Sequence, residues 1–440
     1  MPAPTVVSVP SDAFPRDKVE VVVVGGGIVG ASTALGLARR GIPVAVCEKG
    51  RFGAEQSSRN WGWVRNTLRD PREVPLMIAA QRIWETMGTL VGRNTGYQRS
   101  GILIPRHNAG SERKIEHWMR VARDFDIPVE WLARPVLQAR VRHAVERWSG
   151  GLMASGDGYA EPERATAAIA EGARDYGARL LSNCAVRGIE TQAGAVSGVV
   201  TEHGCIPCST VVIAGGVWSH LLAHHHGIDI PQLNVLNTVL RTTPVKGGPE
   251  PVIWHDYFGL RRRADGGFTV ANGLENIVDI TPRSFRYAAA FLPAICAEWR
   301  GLSFRFGRAF FDEALRPRQW SLAGVTPFEK TRILDPRPSM KGALSALRSV
   351  KKAFPELAAA DIAQSWAGYL DVTPDAIPII SDAPKIPGLF VATGFSGHGF
   401  GIAPGAGELM ANLITGEMPV VSPHAFRLSR FGPQRPNKIR

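Results

Sequence analysis

Gly25, Gly27 and Gly30 form a G-x-G-x-x-G turn, and an acid, Glu48, follows at the end of the next apolar run. The chemistry such residues do is phosphate binding. Gly25 permits a tight turn, Gly27 removes a side chain where backbone must approach a pyrophosphate, and Gly30 lets a helix pack on the preceding strand. The unpaired N–H groups of the helix start, at Ile28 and Val29, face the phosphates. Glu48 is placed to accept hydrogen bonds from a ribose diol, and its charge repels a 2′-phosphate. Lys49 and the polar loop behind it, with Ser57, Ser58, Asn60, Trp61 and Gly62, suit a ligand that extends past its pyrophosphate.

A second glycine loop lies at the far end of the chain. Gly394, Gly397, Gly399 and Gly401, with His398 and Phe400 between them, follow the apolar run GLFVAT. Pro404 suits the first turn of a helix that runs roughly to Thr415, where Gly416 ends it. A second helix N-terminus therefore points at something that needs close backbone approach. Reduced flavin carries negative charge at its pyrimidine end, which such a terminus stabilises. The first fingerprint alone serves NAD or FAD; one loop at each end of the chain, both closing on one cofactor, favours FAD. No Ser/His/Asp set or paired carboxylates demand a general base. Cys205-x-x-Cys208 has no second ligand pair at metal spacing, and His224-His225-His226 reads as a surface loop, so no metal is expected.

Five blocks then resemble the D-amino-acid oxidase superfamily of flavoproteins, which includes glycine oxidase, sarcosine oxidases and D-amino-acid dehydrogenases. They are GGGIVG with Glu48, SSRNWG at 57–62, DGYAEPERATAAIAEGARDYGA at 157–178, VVIAGGVWS at 211–219, and WAGYLDVTPDAIPII at 366–380 with the 394–401 loop. The resemblance spans roughly residues 19–418. It implies an FAD-dependent oxidoreductase that takes a small amine or amino acid to an imine by hydride transfer to flavin N5. A rival within the superfamily is oxidation of a 2-hydroxy acid or similar C–OH substrate. The electron acceptor is oxygen or a quinone chain. The resemblance also places Val186 at the adenine side and Ala214, Gly215 and Trp218 in the loop lining the cofactor. Some relatives hold flavin through a Cys five residues before T-P-D; Gly368 stands there in this chain, which implies non-covalent FAD.

The chain departs from the pattern at Leu370. Glycine oxidase and D-amino-acid oxidase place there an Arg that pairs with the substrate carboxylate, and a leucine cannot make that pair. Arg65 and Arg261 are the candidate replacements. Tyr257, Tyr369 and Trp63 are candidate pocket walls, Asp371 a candidate partner for an ammonium group, and His398 a candidate contact of flavin or substrate.

The elements that position these residues follow from the pattern. VEVVVV at 19–24 reads as a buried parallel strand, Ile28–Arg40 as its helix, and Pro43–Cys47 as the next strand. The fold class expected is α/β plus α+β: a Rossmann-like FAD-binding domain from discontinuous segments, with an inserted, mainly antiparallel β substrate domain. Segments 19–84, 151–232 and 362–420 are assigned to the first and 85–150 and 233–361 to the second. Residues 1–18 read as a loose tail and 421–440 as a surface strap or disordered tail. Of 440 residues, 45% are hydrophobic and 20% charged, the balance of a globular chain, and no run is long enough to span a membrane. The net charge of +12 is scattered rather than blocked, and no basic-aromatic nucleic-acid module stands out, so no nucleic acid is expected; peripheral membrane contact stays open. Five cysteines, an odd and sparse set, and a start without a secretory signal point to the cytoplasm.

Overall fold

The computed structural model describes residues 3–141, 144, 148–273 and 275–432. Two large sheets organise them. The first has six strands in the order Ile379–Asp382, Leu389–Thr393, Thr210–Ile213, Val21–Val24, Val44–Cys47, Arg179–Leu181. All neighbours are parallel except the edge strand Ile379–Asp382. The β-branched run at 21–24 explains the central position. Val21 and Val23 face a layer of helices, while Val22 faces the opposite layer, so both faces of the strand are buried, as a parallel sheet requires. The helical layer holds Ile28–Ala38, Val74–Leu90, Pro162–Asp175 and Gly399–Thr415. On the other face sits a three-stranded antiparallel sheet, Val186–Gln192, Ala195–Thr201 and Gly204–Pro207.

The second sheet has ten strands. Its pairings are antiparallel except Val252–Trp254 with Ile102–Arg106 and Asn276–Asp279 with Leu302–Arg305. Its longest pairing joins Leu233–Thr242 to Ile362–Val372. That strand continues from the ten-stranded sheet to the mouth of the six-stranded one and so couples them.

Several sequence expectations are corrected. Residues 151–154 and Ile362–Val372, assigned to the dinucleotide segments, hydrogen-bond into the ten-stranded sheet. Residues 3–18 form no helix or strand but are not loose: Val9 joins the core, Val7 N donates to Glu163 O (3.0 Å), and Asp12 pairs with Arg174 at 3.1 Å. Residues 421–432 likewise pack, burying Phe426 and Leu428 and pairing Arg430 with Asp375 at 3.0 Å; 433–440, and Met1 and Pro2 of the other tail, lie outside the described residues. The last helix starts at Gly399, so Pro404 falls in its second turn. Positive φ at Gly394, Ser396 and Gly397 turns the chain early enough for that start. His224 and His225 end the helix Ser219–His225 rather than occupying a loop, and His226 Nε2 accepts from Ile189 N at 3.0 Å. Among the described residues, no helix is long and apolar enough to cross a membrane.

Candidate active site

The glycine turn closes as its residue types require. Gly25 has φ +116°, and a Cβ there would lie 2.5 Å from Ala214 O; a Cβ on Gly30 would lie 2.0 Å from Gly25 O. Gly30 is therefore a packing residue with no face on the cavity. The first helix has no side-chain cap from Gly27, and Ser57 Oγ instead accepts from Ile28 N at 2.9 Å. Glu48 accepts from Gly26 N and Gly50 N, each at 2.7 Å. Burial raises its carboxyl, while Lys49 and the two amides pull it back. Ser58 is buried with its hydroxyl on Glu55 O, and Gly62, at φ +81°, turns the chain behind the site.

A cavity runs from this turn to the second glycine loop. Gly25, Gly27, Ile28, Val29, Glu48, Lys49, Ser57, Asn60, Val186, Ala214, Gly215 and Trp218 line it, and at its far end so do Leu370, Asp371, Gly397, Gly399 and Phe400. A second cavity is lined by Trp61, Trp63, Arg65, Tyr369, His398 and Gly401. The two share Gln56, Asn60, Leu370, Gly397 and Phe400 as common walls. A long channel thus meets a separate chamber at one short boundary.

Asp371 holds that boundary together. Its carboxylate accepts from Gln56 Nε2 (2.9 Å), Gly394 N (2.7 Å) and Thr393 Oγ1 (3.2 Å), and its carbonyl accepts from Ser396 N at 2.9 Å. The expected contact with an ammonium group is corrected: the carboxylate is buried and engaged on the protein itself. Gln56 Oε1 in turn accepts from Val217 N at 3.0 Å, so one amide ties the 56–60 loop to the 214–218 loop and to the long strand. Gly394 contributes its backbone to this clamp rather than a cavity wall.

In the chamber, Trp61 packs edge-to-face on Trp63 and Trp63 tilted against Trp254, with ring centroids 4.7 and 5.3 Å apart. The Arg65 guanidinium lies 4.4 Å from the Trp254 ring and donates to Thr67 O. Among the described residues no carboxylate lies within 4 Å of it, and burial, then the neighbouring Arg69, pull it down to about 9. Asp157 fixes the local backbone by accepting from Asn66 N (2.7 Å) and Thr67 N (3.1 Å). His398 Nδ1 lies 3.0 Å from Glu73 Oε2. Burial lowers His398; burial works to raise Glu73, but His398 and Arg69 outweigh it and hold it ionised. The proton of a neutral His398 therefore sits on Nδ1. Tyr369 donates to Asp279 at 3.0 Å.

Two candidates fall outside the site. Arg261 is buried in an ion pair with Glu161 at 3.0 Å and also donates to Trp61 O and Thr269 Oγ1; its charge is already satisfied. Tyr257 is half exposed and packs beside His107 and His255 instead. Gln56, Arg69, Trp254, Asn237 and Asn276 are site residues that sequence reasoning missed. Gln56 adjoins the marked Ser57, and Arg69 follows Arg65 by four residues across a turn; the two asparagines come from strands whose pattern carries no signal.

A glycine-turned parallel sheet, a dinucleotide-length channel and an adjoining small-molecule chamber define a dinucleotide-dependent oxidoreductase. The family model for DAO, FAD dependent oxidoreductase, matches residues 20–413, and the chain belongs to that family. It is 28% identical over 408 residues to glycine oxidase from Bacillus licheniformis, covering 91% of this chain and 94% of that one. It is 25% identical to sarcosine oxidase subunit beta from Rhodobacter capsulatus over 95% of this chain and 89% of that one. The solved structure of L-amino acid deaminase from Proteus myxofaciens in complex with anthranilate superposes with a TM-score of 0.93 at 31% identity, covering 97% of each chain. FAD, not NAD, is thus the cofactor. The residues fit it: a Cβ on Gly27 would stand 3.2 Å from Ser57 Oγ and fill the cradle at the first helix.

Proposed function

We propose that the chain oxidises the carbon–nitrogen bond of a small carboxylated amine to an imine, with FAD held non-covalently along the channel. Arg65 carries this reading: a half-buried guanidinium with no carboxylate within 4 Å among the described residues, facing a tryptophan-walled chamber that meets the cofactor channel. Desolvating a charge is costly, and an incoming carboxylate offsets that cost. Arg65 takes the role that Leu370 cannot. The named relatives act in the same class: glycine, sarcosine and L-amino acids carry an amine and a carboxylate, as does the anthranilate in the Proteus complex. None of these three names points to a hydroxy acid.

FAD, when bound, supplies the oxidising chemistry by accepting a hydride. The chain's own residues position and protect. The turn from Gly25 to Val29 and Ser57 receive the pyrophosphate end, and Glu48 the ribose. Arg65 orients the carboxylate. Trp61, Trp63 and Trp254 exclude water and bring the substrate carbon to the Leu370–Gly397 boundary. His398, neutral with its proton on Nδ1 toward Glu73, offers Nε2 as an acceptor to an amine N–H. The released imine is hydrolysed by water. No cysteine borders the chamber, and Gly368 lines it. We assign the six-stranded sheet and its layers to cofactor binding and the ten-stranded sheet to the substrate.

The test is an anaerobic titration of the flavin with D- and L-amino acids, N-methyl amino acids, amines lacking a carboxylate and 2-hydroxy acids. Bleaching by carboxylated amines is expected. Bleaching by decarboxylated amines alone, or by hydroxy acids alone, overturns the assignment. Admitting oxygen or a soluble quinone to the bleached enzyme then identifies the acceptor.

A further inference from the structure

The chamber has a polar wall that oxidation of a carbon–nitrogen bond does not use. The strand Leu233–Thr242 pairs on one side with Asn276–Asp279 and on the other with Ile362–Val372. The register that sets Val235 against Val278 and Leu236 against Ile277 continues to set Asn237 against Asn276. On its other side Asn237 faces Gly368, which has no side chain. Asn237, Asn276 and Gly368 thus form one strip of the chamber wall, beside the indole of Trp61.

The hydrogen bonds along this strip run one way. Trp61 Nε1 donates to Asn237 Oδ1 at 3.3 Å, and Asn237 Nδ2 donates to Glu275 O at 3.4 Å and to Asn276 Oδ1 at 3.2 Å. An indole N–H can only donate and a backbone carbonyl can only accept, so the Asn237 amide has a single orientation. Asn276 must then accept through Oδ1, which leaves its Nδ2 as a donor. Among the described residues nothing accepts from that Nδ2, although Asn276 lines the chamber. Two polar neighbours are already engaged. The Tyr369 hydroxyl donates to Asp279 at 3.0 Å, and Arg59 donates to Asp335 at 2.9 Å and to Ala367 O at 3.1 Å.

We infer that Asn276 is a specificity residue, and that the substrate is an amino acid whose side chain ends in a neutral oxygen acceptor, such as a carboxamide. This rests on the proposed role of Arg65 as the receptor of the carboxylate. With the carboxylate there and the reacting carbon at the Leu370–Gly397 boundary, the side chain is the part of the substrate left to meet the strip. An apolar side chain would cut Nδ2 off from water without replacing the lost bond, and a site built to hydrogen-bond its substrate rejects analogues that lack the partner. An anionic side chain would come in beside Trp61, where Arg59, the cation packed against Gly368, is already held by Asp335.

The experiment is anaerobic reduction of the FAD-loaded protein by each enantiomer of asparagine and leucine, and of glutamine and methionine, pairs of similar shape, with aspartate and glutamate beside them. Asparagine and glutamine should bleach the flavin about tenfold or more faster, per unit concentration, than leucine and methionine. They should also outpace aspartate and glutamate. Asn276→Leu should erase the preference, with leucine and methionine gaining and the flavin spectrum retained. Asn276→Asp keeps an acceptor for Asn237 Nδ2 but removes the free donor, and should favour lysine over methionine. Equal or faster bleaching by leucine and methionine overturns the inference and leaves the oxidation of carboxylated amines standing. Faster bleaching by aspartate and glutamate overturns the neutral acceptor, and a preference that survives Asn276→Leu overturns the role of Asn276. A flavin that no carboxylated amine bleaches, while a decarboxylated amine or a hydroxy acid does, overturns the proposed function itself, and this inference with it.

Discussion

Arg65 and Arg69 stand side by side at the chamber, but only Arg69 has an acid beside it, Glu73 at 3.7 Å. The difference supports the proposed role of Arg65 as the anion receptor, and that role predicts a divided kinetic effect. Arg65→Met should raise KM for a carboxylated amine by about a hundredfold or more, the range for a charged hydrogen-bonded partner, with a smaller loss in kcat. Arg65→Lys should recover part of the loss, since it keeps the charge but not the planar fork. An amine without a carboxylate should react equally with both variants; a matching loss there would show that Arg65 shapes the chamber rather than binding the acid. A second residue-scale prediction concerns the glycine turn. Gly25→Ala combines a φ of +116° with a Cβ 2.5 Å from Ala214 O, so the turn must open and FAD content, read as the ratio of visible to ultraviolet absorbance, should collapse. Gly41→Ala, at φ +73° with nothing within 4 Å of its Cβ, should cost only about 1–2 kcal/mol of backbone strain and keep its flavin.

At the scale of elements, the buried Arg261–Glu161 pair joins the ten-stranded sheet to the start of the helix Pro162–Asp175. Glu161→Ala leaves a guanidinium that is almost wholly buried without its acid, and should destabilise the chain by about 3–5 kcal/mol in urea unfolding. Glu161→Ala combined with Arg261→Met should recover much of that loss; no recovery would locate the effect elsewhere. The same pair shows where sequence reading stops. Arg65 and Arg261 are equivalent as letters, and only Glu161, a hundred residues from Arg261, tells the satisfied arginine from the receptive one. The dinucleotide turn was legible because its strand, turn, helix and second strand are local, and both glycine spacing and β-branched runs report directly on backbone geometry. The clamp at Asp371 was half legible: its place beside the second glycine loop was visible, its bond to Gln56 was not. The pairing of Leu233–Thr242 with Ile362–Val372 spans more than a hundred residues, and no periodicity within either segment encodes its partner. Tyr257 failed for the opposite reason, since an aromatic next to a strand is as ready to cover a surface as to wall a pocket.

Five half-buried histidines disfavour their own protonation, and this shapes how stability depends on pH. Burial lowers His220, His224, His225, His226 and His398, with His226 reaching about 4. An unfolded chain binds a proton on each near the usual value of 6.5, before the folded chain does. Their contribution to stability is therefore complete above that value and lost as pH falls toward the folded value. Glu48, Asp157 and Asp371, whose carboxyls burial raises, act with the opposite sign: they favour the fold at low pH, and that support is lost as pH rises through their folded values. Total stability mixes both, so the prediction is framed as a difference. His226→Gln keeps an acceptor for Ile189 N and removes the titration. The stability of wild type minus that of His226→Gln should be level above pH 6.5 and fall by up to about 1.4 kcal/mol per pH unit between 6.5 and about 4. Urea midpoints of the FAD-loaded proteins at a series of pH values measure it. A difference that stays constant across that window would mean that His226 titrates alike in both states, and that its place against the three-stranded sheet imposes no cost on the proton.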